Sequence, residues 1–443
     1  MSTTADWREV VLASGTPLPS SPTVQCTVSS FGAYPAVIAA WDFSVQGGSF
    51  GEADADAFVG AVAAAIDRGL PLVSVLRSGG TKLPEGMRAL VGIPRSALAL
   101  TRLRAAHLPH VTVANHPTTG GVWVGIGSTA DLRIAVQEAL VGFSGPRPIE
   151  AMTGRAMAAG ANTAEAALAA GLVDAVVPAS EIVSAVEAVL AATTPGEPEI
   201  PDVPALAAPA AADAWGQVEG SRQSDRPTGA DLIDSWLSER FALAGADTTV
   251  AAAVGRLAGR SVVAAALAAS RATMPTPAGY ALLTRAAQLA GTLDRPLIVV
   301  VDTPGADPHT EADGLAAAIA NAMTAVLECP SPTISFVHGE GGSGGALAGA
   351  VTDVVGIGES GWFAAMGPEG AAATLRIEPG EAARRMRITP ADLLENGFGD
   401  VFVPDGLAPT WLATTIDRLA AEPAAARLAR RVDRWSSRLP GQS

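Results

Sequence analysis

The chain has 443 residues, 49% of them hydrophobic, enough for at least two cores because a single core stops growing at roughly 250–300 residues. A net charge of −15 with a single lysine, Lys82, argues against a surface that tracks nucleic-acid phosphates. The two cysteines, Cys26 and Cys329, supply neither a disulfide framework nor a four-thiolate zinc site.

The opening residues contain no basic stretch followed by an apolar run, and later apolar runs are broken by Gly, Pro or charge within about 18 residues. A soluble, cytoplasmic chain without a membrane span is expected. In chain order, helical spacing over 54–68 precedes an apolar strand, Pro71-Leu-Val-Ser-Val-Leu76, which ends in Ser78-Gly79-Gly80. A helix over 87–106 leads to a second strand from His110 to Ala114, and then to Pro117-Thr-Thr-Gly120-Gly121. Ser78 and Lys82 flank the first glycine turn, and Lys82 is a candidate anion contact at a helix start. Glu85 reads as a helix-capping group.

From Thr193 the periodicity fades among Pro195, Pro198, Pro201, Pro204 and Pro209, and 193–230 reads as a Pro/Ala-rich linker between domains 1–192 and 231–443. The same order then returns. A helix over 279–293 precedes the strand Pro296-Leu-Ile-Val-Val-Val301, which ends in Asp302-Thr-Pro-Gly305-Ala306. A helix over 312–328 leads to Thr333-Ile-Ser-Phe-Val337 and Gly339-Glu-Gly341-Gly342-Ser343-Gly344-Gly345. Asp131 and Asp353 follow the second glycine cluster of each half, and Gly171-Leu-Val-Asp174 answers Gly397-Phe-Gly-Asp400 near each end. The chain is a duplication. Nearly continuous apolar strands alternating with helices imply parallel sheet covered by helices.

A glycine turn between a buried strand and a helix leaves backbone N–H groups outward with the helix dipole behind them. Two such turns meeting make a pair of donors for an oxygen that becomes anionic during reaction. A phosphate loop and paired helical histidines are missing from the sequence, no Gly-x-Ser-x-Gly elbow is followed by a plausible acid and histidine, and the second-half glycines lack the acidic residue on a following strand that a dinucleotide fingerprint requires.

Phe43-Ser-Val-Gln-Gly-Gly-Ser-Phe-Gly51, Ser78-Gly-Gly-Thr-Lys-Leu-Pro-Glu-Gly86 and Gly142-Phe-Ser-Gly-Pro-Arg-Pro-Ile-Glu150 resemble the acetyl-CoA carboxylase carboxyltransferase β subunit. Met274-Pro-Thr-Pro-Ala-Gly-Tyr280, Asp302-Thr-Pro-Gly-Ala-Asp-Pro308 and Gly339-Glu-Gly-Gly-Ser-Gly-Gly-Ala-Leu-Ala348 resemble the α subunit. The resemblance implies an α/β fold of two tandem crotonase-like (ββα spiral) domains and the transfer of a carboxyl group from biotin, carried on a separate protein, to the α-carbon of an acyl-CoA. It implies an acyl-CoA side in the first half and a biotin side in the second. It also implies a biotin carboxyl carrier protein and a biotin carboxylase as partners, and a homo-oligomer, a dimer or a trimer of dimers, whose active sites lie between domains of different protomers. By position, Gly79 and Gly80 with Gly120 and Gly121 are expected in one oxyanion hole, and Gly305 and Ala306 with Gly344 and Gly345 in the other. Ser78, Lys82, Gly341, Gly342 and Ser343 complete the expected ligand set, with no metal. The segment Ala265-Ala-Leu-Ala-Ala-Ser-Arg271 departs from the Gly-His-Gln-Lys pattern common in the family. Two other readings keep the fold: a biotin-independent malonyl-thioester decarboxylase, and a degenerate scaffold subunit.

Overall fold

A computed structural model of the chain describes residues 12, 14–209, 212–270 and 273–439, so Arg271 lies outside the described residues. Contacts divide the chain into Met1–Thr193 and Thr194–Ser443.

In the first unit, β1 (Thr16–Pro17), β2 (Val24–Phe31) and β3 (Tyr34–Trp41) pair antiparallel. Then β4 (Leu72–Ser78), β5 (His110–Thr119), β6 (Leu132–Val136) and β8 (Ala175–Val177) continue the sheet in parallel, with β7 (Val141–Gly142) pairing on β5. Helices Glu52–Arg68 and Met87–Ala105 are the crossovers. In the second unit, β9 (Ser238–Leu243), β10 (Val250–Leu257) and β11 (Arg260–Leu267) are antiparallel. They are followed in parallel by β12 (Leu297–Thr303), β13 (Thr333–Gly342), β14 (Val354–Ile357) and β16 (Val401–Phe402), with β15 (Trp362–Ala364) on β13. Helices Pro277–Leu293 and Leu315–Glu328 cross over here. The two sheets repeat one another strand for strand.

Strands β4 and β12 are buried at every position except the next to last, Arg77 and Asp302. That pattern requires cover on both faces, which the helices provide. Both β5 and β13 run further than their apolar sequences suggest, into Thr119 and Gly342. The duplicated aspartates have duplicated duties. Asp131 accepts the N–H of His110 and Asp353 that of Thr333, each at 2.9 Å, at the first residue of β5 and β13. Asp174 and Asp400 do the same for Arg133 and Val355, at 2.9 and 2.7 Å.

The segment expected as a linker, 193–230, holds more structure than its composition suggests. Asp213 caps the helix Ala214–Ser221, whose Ala214 and Val218 pack into a core with Trp362 and Ile388. The Nε1–H of Trp362 donates to Ser221 Oγ at 2.9 Å. Five prolines cluster before this helix, while its own alanine and glycine residues mask the 3.6-residue period.

Candidate functional site

In each unit one strand pair carries the site, and its register defines which residues correspond. Ser78 pairs with Thr118, and Thr303 with Gly341, in both cases after a shift in the ladder. Counting on from these pairs, Gly80 corresponds to Gly305, Thr81 to Ala306, Gly120 to Ser343, and Gly121 to Gly344. Sequence spacing alone, 41 positions from Gly80 to Gly121 and 40 from Gly305 to Gly345, sets Gly121 opposite Gly345. Gly120 and Ser343 share a left-handed backbone, with φ of 69° and 64°.

The first turn of each unit is set by a buried hydroxyl. Gly80 N–H donates to Ser78 Oγ at 3.1 Å, and Gly305 N–H to Thr303 Oγ1 at 3.2 Å. Both glycines have strongly positive φ, 119° and 136°, which a side chain would resist. The two turns are pressed together: a Cβ built on Gly120 would stand 2.9 Å from Gly80 Cα. Ser78 is therefore a brace for the turn and is fully buried.

Several of the expected amides are already engaged. Gly79 N–H donates to Gly47 O at 2.9 Å, and Gly120 N–H to Phe143 O at 3.0 Å. Thr81 differs. It forms a parallel bridge with Phe50 in which Phe50 N–H donates to Gly80 O and Lys82 N–H to Phe50 O, so the N–H of Thr81 points away from that bridge. Gly121 opens a helical turn, where N–H groups have no acceptor within the helix. Both residues are half-exposed. In the second unit Ala306 is half-exposed and Gly344 exposed, while Gly305 and Gly345 are buried. A Cβ on Gly345 would lie 2.6 Å from Ala306 N, so the second turn abuts the start of the helix Ser343–Ala350. Thr81 with Gly121, and Ala306 with Gly344, thus hold corresponding places in the two units, and each of the four is at least half-exposed. Thr81 carries no glycine to mark it in the sequence, although its place after Gly80 matches that of Ala306 after Gly305.

Other expected contacts serve the scaffold. The ammonium of Lys82 is 3.0 Å from Asp54 and 3.7 Å from Glu85. Asp54 is buried and accepts Gly51 N–H at 2.8 Å, and Glu85 accepts Glu52 N–H at 2.7 Å. Lys82 thereby ties the turn to the start of the helix Glu52–Arg68. Gly341 and Gly342 are buried where backbones cross, with Cβ positions at 2.6 Å from Trp362 O and 1.9 Å from Pro304 O. Ser343 is exposed beside Gly344.

Around the second turn lies a network of charges centred on two arginines. Arg226 Nη1 is 3.3 Å from Asp302, and its Nη2 donates to His338 O at 2.6 Å. Arg222 bridges Glu340 at 3.0 Å and Glu369 at 2.5 Å. Burial raises the Glu340 carboxyl above the ordinary range despite Arg222, whereas hydrogen bonding to Arg222 lowers that of the more exposed Glu369. Among the described residues no group of three His, Cys, Asp or Glu side chains is placed to hold a metal, and no helix is long and apolar enough to cross a membrane.

Glycine turns at the ends of parallel strands, twice in one chain, are an arrangement suited to holding an oxygen that becomes anionic, on a crotonase-like fold. The comparisons agree with that class. Residues 31–203 match the carboxyl transferase domain, and residues 209–415 match the acetyl co-enzyme A carboxylase carboxyltransferase-like family. The chain is 36% identical over 429 residues to the acetyl-coenzyme A carboxylase carboxyl transferase subunits beta/alpha of Salinispora tropica, covering 90% of this chain and 75% of that protein. It is 33% identical over 389 residues to the probable biotin-dependent acyl-coenzyme A carboxylase beta3 subunit of Mycobacterium tuberculosis, covering 85% and 78%. The fold is similar to that of the transcarboxylase 12S hexamer crystallised with methylmalonyl-coenzyme A, with a TM-score of 0.77, 22% identity and coverage of 90% and 82%. It is also similar to a single-chain, multi-domain long-chain acyl-CoA carboxylase, with a TM-score of 0.70, 17% identity and coverage of 89% and 41%. The chain belongs to the carboxyltransferase family of biotin-dependent acyl-CoA carboxylases.

Proposed function

We propose that the first unit binds the thioester oxygen of an acyl-CoA at the amides of Thr81 and Gly121, and that the second binds the ureido oxygen of carrier-borne biotin at those of Ala306 and Gly344. The observation that carries this reading is the shared register, by which Thr81 corresponds to Ala306 and Gly121 to Gly344. When the thioester loses its α-proton, negative charge moves onto its oxygen. Thr81 and Gly121 oppose that charge with dipoles already fixed by Ser78 and by the close contact of Gly80 with Gly120, so little reorganisation is required. Removing one such donor costs a typical enzyme about 10²–10³ in rate. The second site fits a neutral ureido group, since Ala306 and Gly344 offer amides without a side-chain charge. Carboxybiotin, when bound, supplies the carboxyl group: its N–C bond breaks, a C–C bond forms at the α-carbon, and the ureido nitrogen receives the α-proton. Gly79, Gly80, Gly120, Gly305 and Gly345 shape the turns, and Lys82 braces the first of them.

A biotin carboxyl carrier protein and a biotin carboxylase are the partners this reading implies, with a homo-oligomer as the working assembly. Malonyl-CoA mixed with the purified chain, with and without free biotin, tests it. Loss of the carboxyl group only when biotin is present is expected. Equal loss without biotin identifies a decarboxylase, and no reaction with any acyl-CoA identifies a scaffold; either result removes the proposal.

A further inference from the structure

The helix Ser343–Ala350 has one closed face and one open face. A Cβ on Gly345 would strike Ala306 N and Tyr280 Oη, each at 2.6 Å, whereas a Cβ on Gly344 meets nothing within 4 Å. The open face, formed by Ser343, Gly344 and Leu347, borders a cavity of about 300 Å³. This volume is at the lower end of small-molecule sites, roughly 300–1,000 Å³.

The opposite walls are aromatic and come from far along the chain. Phe363 lies against Phe398 with ring centroids 4.5 Å apart, and Trp435 meets Phe398 edge-on at 6.3 Å. Trp435 stands at the end of the helix Ala424–Ser436, where its Nε1–H donates to Thr352 O at 3.0 Å. Leu439, 47% exposed, also lines the cavity. The charged side chain in the lining is Arg434, whose Nη1 lies 2.6 Å from both carboxylate oxygens of Asp400. The cavity is thus a largely apolar box, with Gly344 among its lining residues.

We infer that this box receives the apolar body of the ligand whose oxygen the second turn binds, and that Trp435 and Leu439 set which ligands fit. Resting on the function proposed above, that body is the thioether ring and aliphatic arm of biotin. Aromatic walls suit it because sulfur packs favourably at aromatic ring edges, and a dry wall leaves the ureido oxygen to the amides alone. The C-terminal segment is accordingly a specificity element of the second site.

Two measurements test this on the full chain with free biotin as the probe. In biotin-dependent carboxyl loss from malonyl-CoA, Leu439→Ala and Trp435→Ala are expected to raise the KM for biotin at least tenfold with the KM for malonyl-CoA changed less than twofold, and Trp435→Phe to recover most of the loss. Leu439 is exposed and contributes nothing to the core, so it stays informative if Trp435→Ala fails to fold. In saturation-transfer NMR, ring and arm protons of biotin are expected to receive magnetisation from the intact chain and to lose it in Leu439→Ala. A raised KM for malonyl-CoA instead, or unchanged transfer to biotin in both variants, overturns the assignment. Biotin-independent carboxyl loss by the intact chain removes the function proposed above, while NMR contact with the biotin ring that is sensitive to Leu439 still upholds the box; no contact removes both.

Discussion

Arg77 and Asp302 occupy the same position in the two units and close the same gap with opposite polarity. Arg77 Nε donates to His116 O at 2.7 Å, while Asp302 Oδ1 accepts the N–H of Glu340 at 2.8 Å. In the first unit Pro117 stands where Glu340 stands in the second and has no N–H to give, so the strand end must supply the donor. Asp302→Asn keeps an acceptor but leaves Arg226 facing a neutral group. The two side chains retain 10% and 15% exposure, so the cost is set below that of a fully buried pair, at about 1–3 kcal/mol. Urea denaturation reads this, and Asp302→Ala is expected to cost more because Glu340 N–H then loses its acceptor.

Adjacent glycines in the second cluster should respond in opposite directions. Gly345→Ala drives a methyl into Ala306 N, and is expected to lower stability by about 1–3 kcal/mol through overpacking and turnover by at least tenfold. Gly344→Ala adds a methyl in open space within a helix and is expected to be neutral or stabilising by up to about 1 kcal/mol. Thermal unfolding of the pair is the check, and equal losses would contradict the arrangement described.

The C-terminal helix is anchored by a buried ion pair. Arg431 donates to both carboxylate oxygens of Asp353, at 2.9 and 2.7 Å, and to carbonyls of Val326, Leu327, Cys329 and Ser331, with both side chains almost wholly buried. Arg431→Met strands that carboxylate, and a loss of roughly 3–5 kcal/mol follows. Limited proteolysis should then cut the chain first near Ala424–Ser436.

Asp405 gives a pH signature. Burial, opposed by the Glu359 N–H, pushes its carboxyl from 3.8 up to about 6. Its folded state therefore favours the protonated acid, whose contribution is complete below about pH 4 and is lost as pH rises through 6. Asp405→Asn imitates the protonated form, so variant and wild type should match at pH 4. Above pH 6 the variant should gain about 1–2 kcal/mol, a figure reduced because the side chain is 30% exposed. Denaturation midpoints across pH 4–8 decide it; a constant difference contradicts the assignment.

Much of the fold could be read directly. The helices expected over 54–68 and 279–293 are observed at Glu52–Arg68 and Pro277–Leu293, with Thr276 and Pro277 marking the start of the latter. The site was only half legible. The turns at Gly80 and Gly305 were visible as glycine, but Thr81 was not, because an outward amide has no sequence signature of its own. Lys82, an expected anion contact, pairs with Asp54 and Glu85, and neither partner is signalled by its sequence position.

The sequence by itself determined that two copies of one sheet exist and where their turns fall, since buried strands and positive φ are local demands that residue types answer locally. Only the tertiary structure decided which amides stay outward, which strand positions correspond, and that Trp435 and Leu439 reach the Ser343 helix. Hydrogen-bond partners and cavity walls depend on register between segments more than a hundred residues apart in places, as with Arg222 and Glu340 at |i−j| of 118, and residue order alone does not specify such pairings.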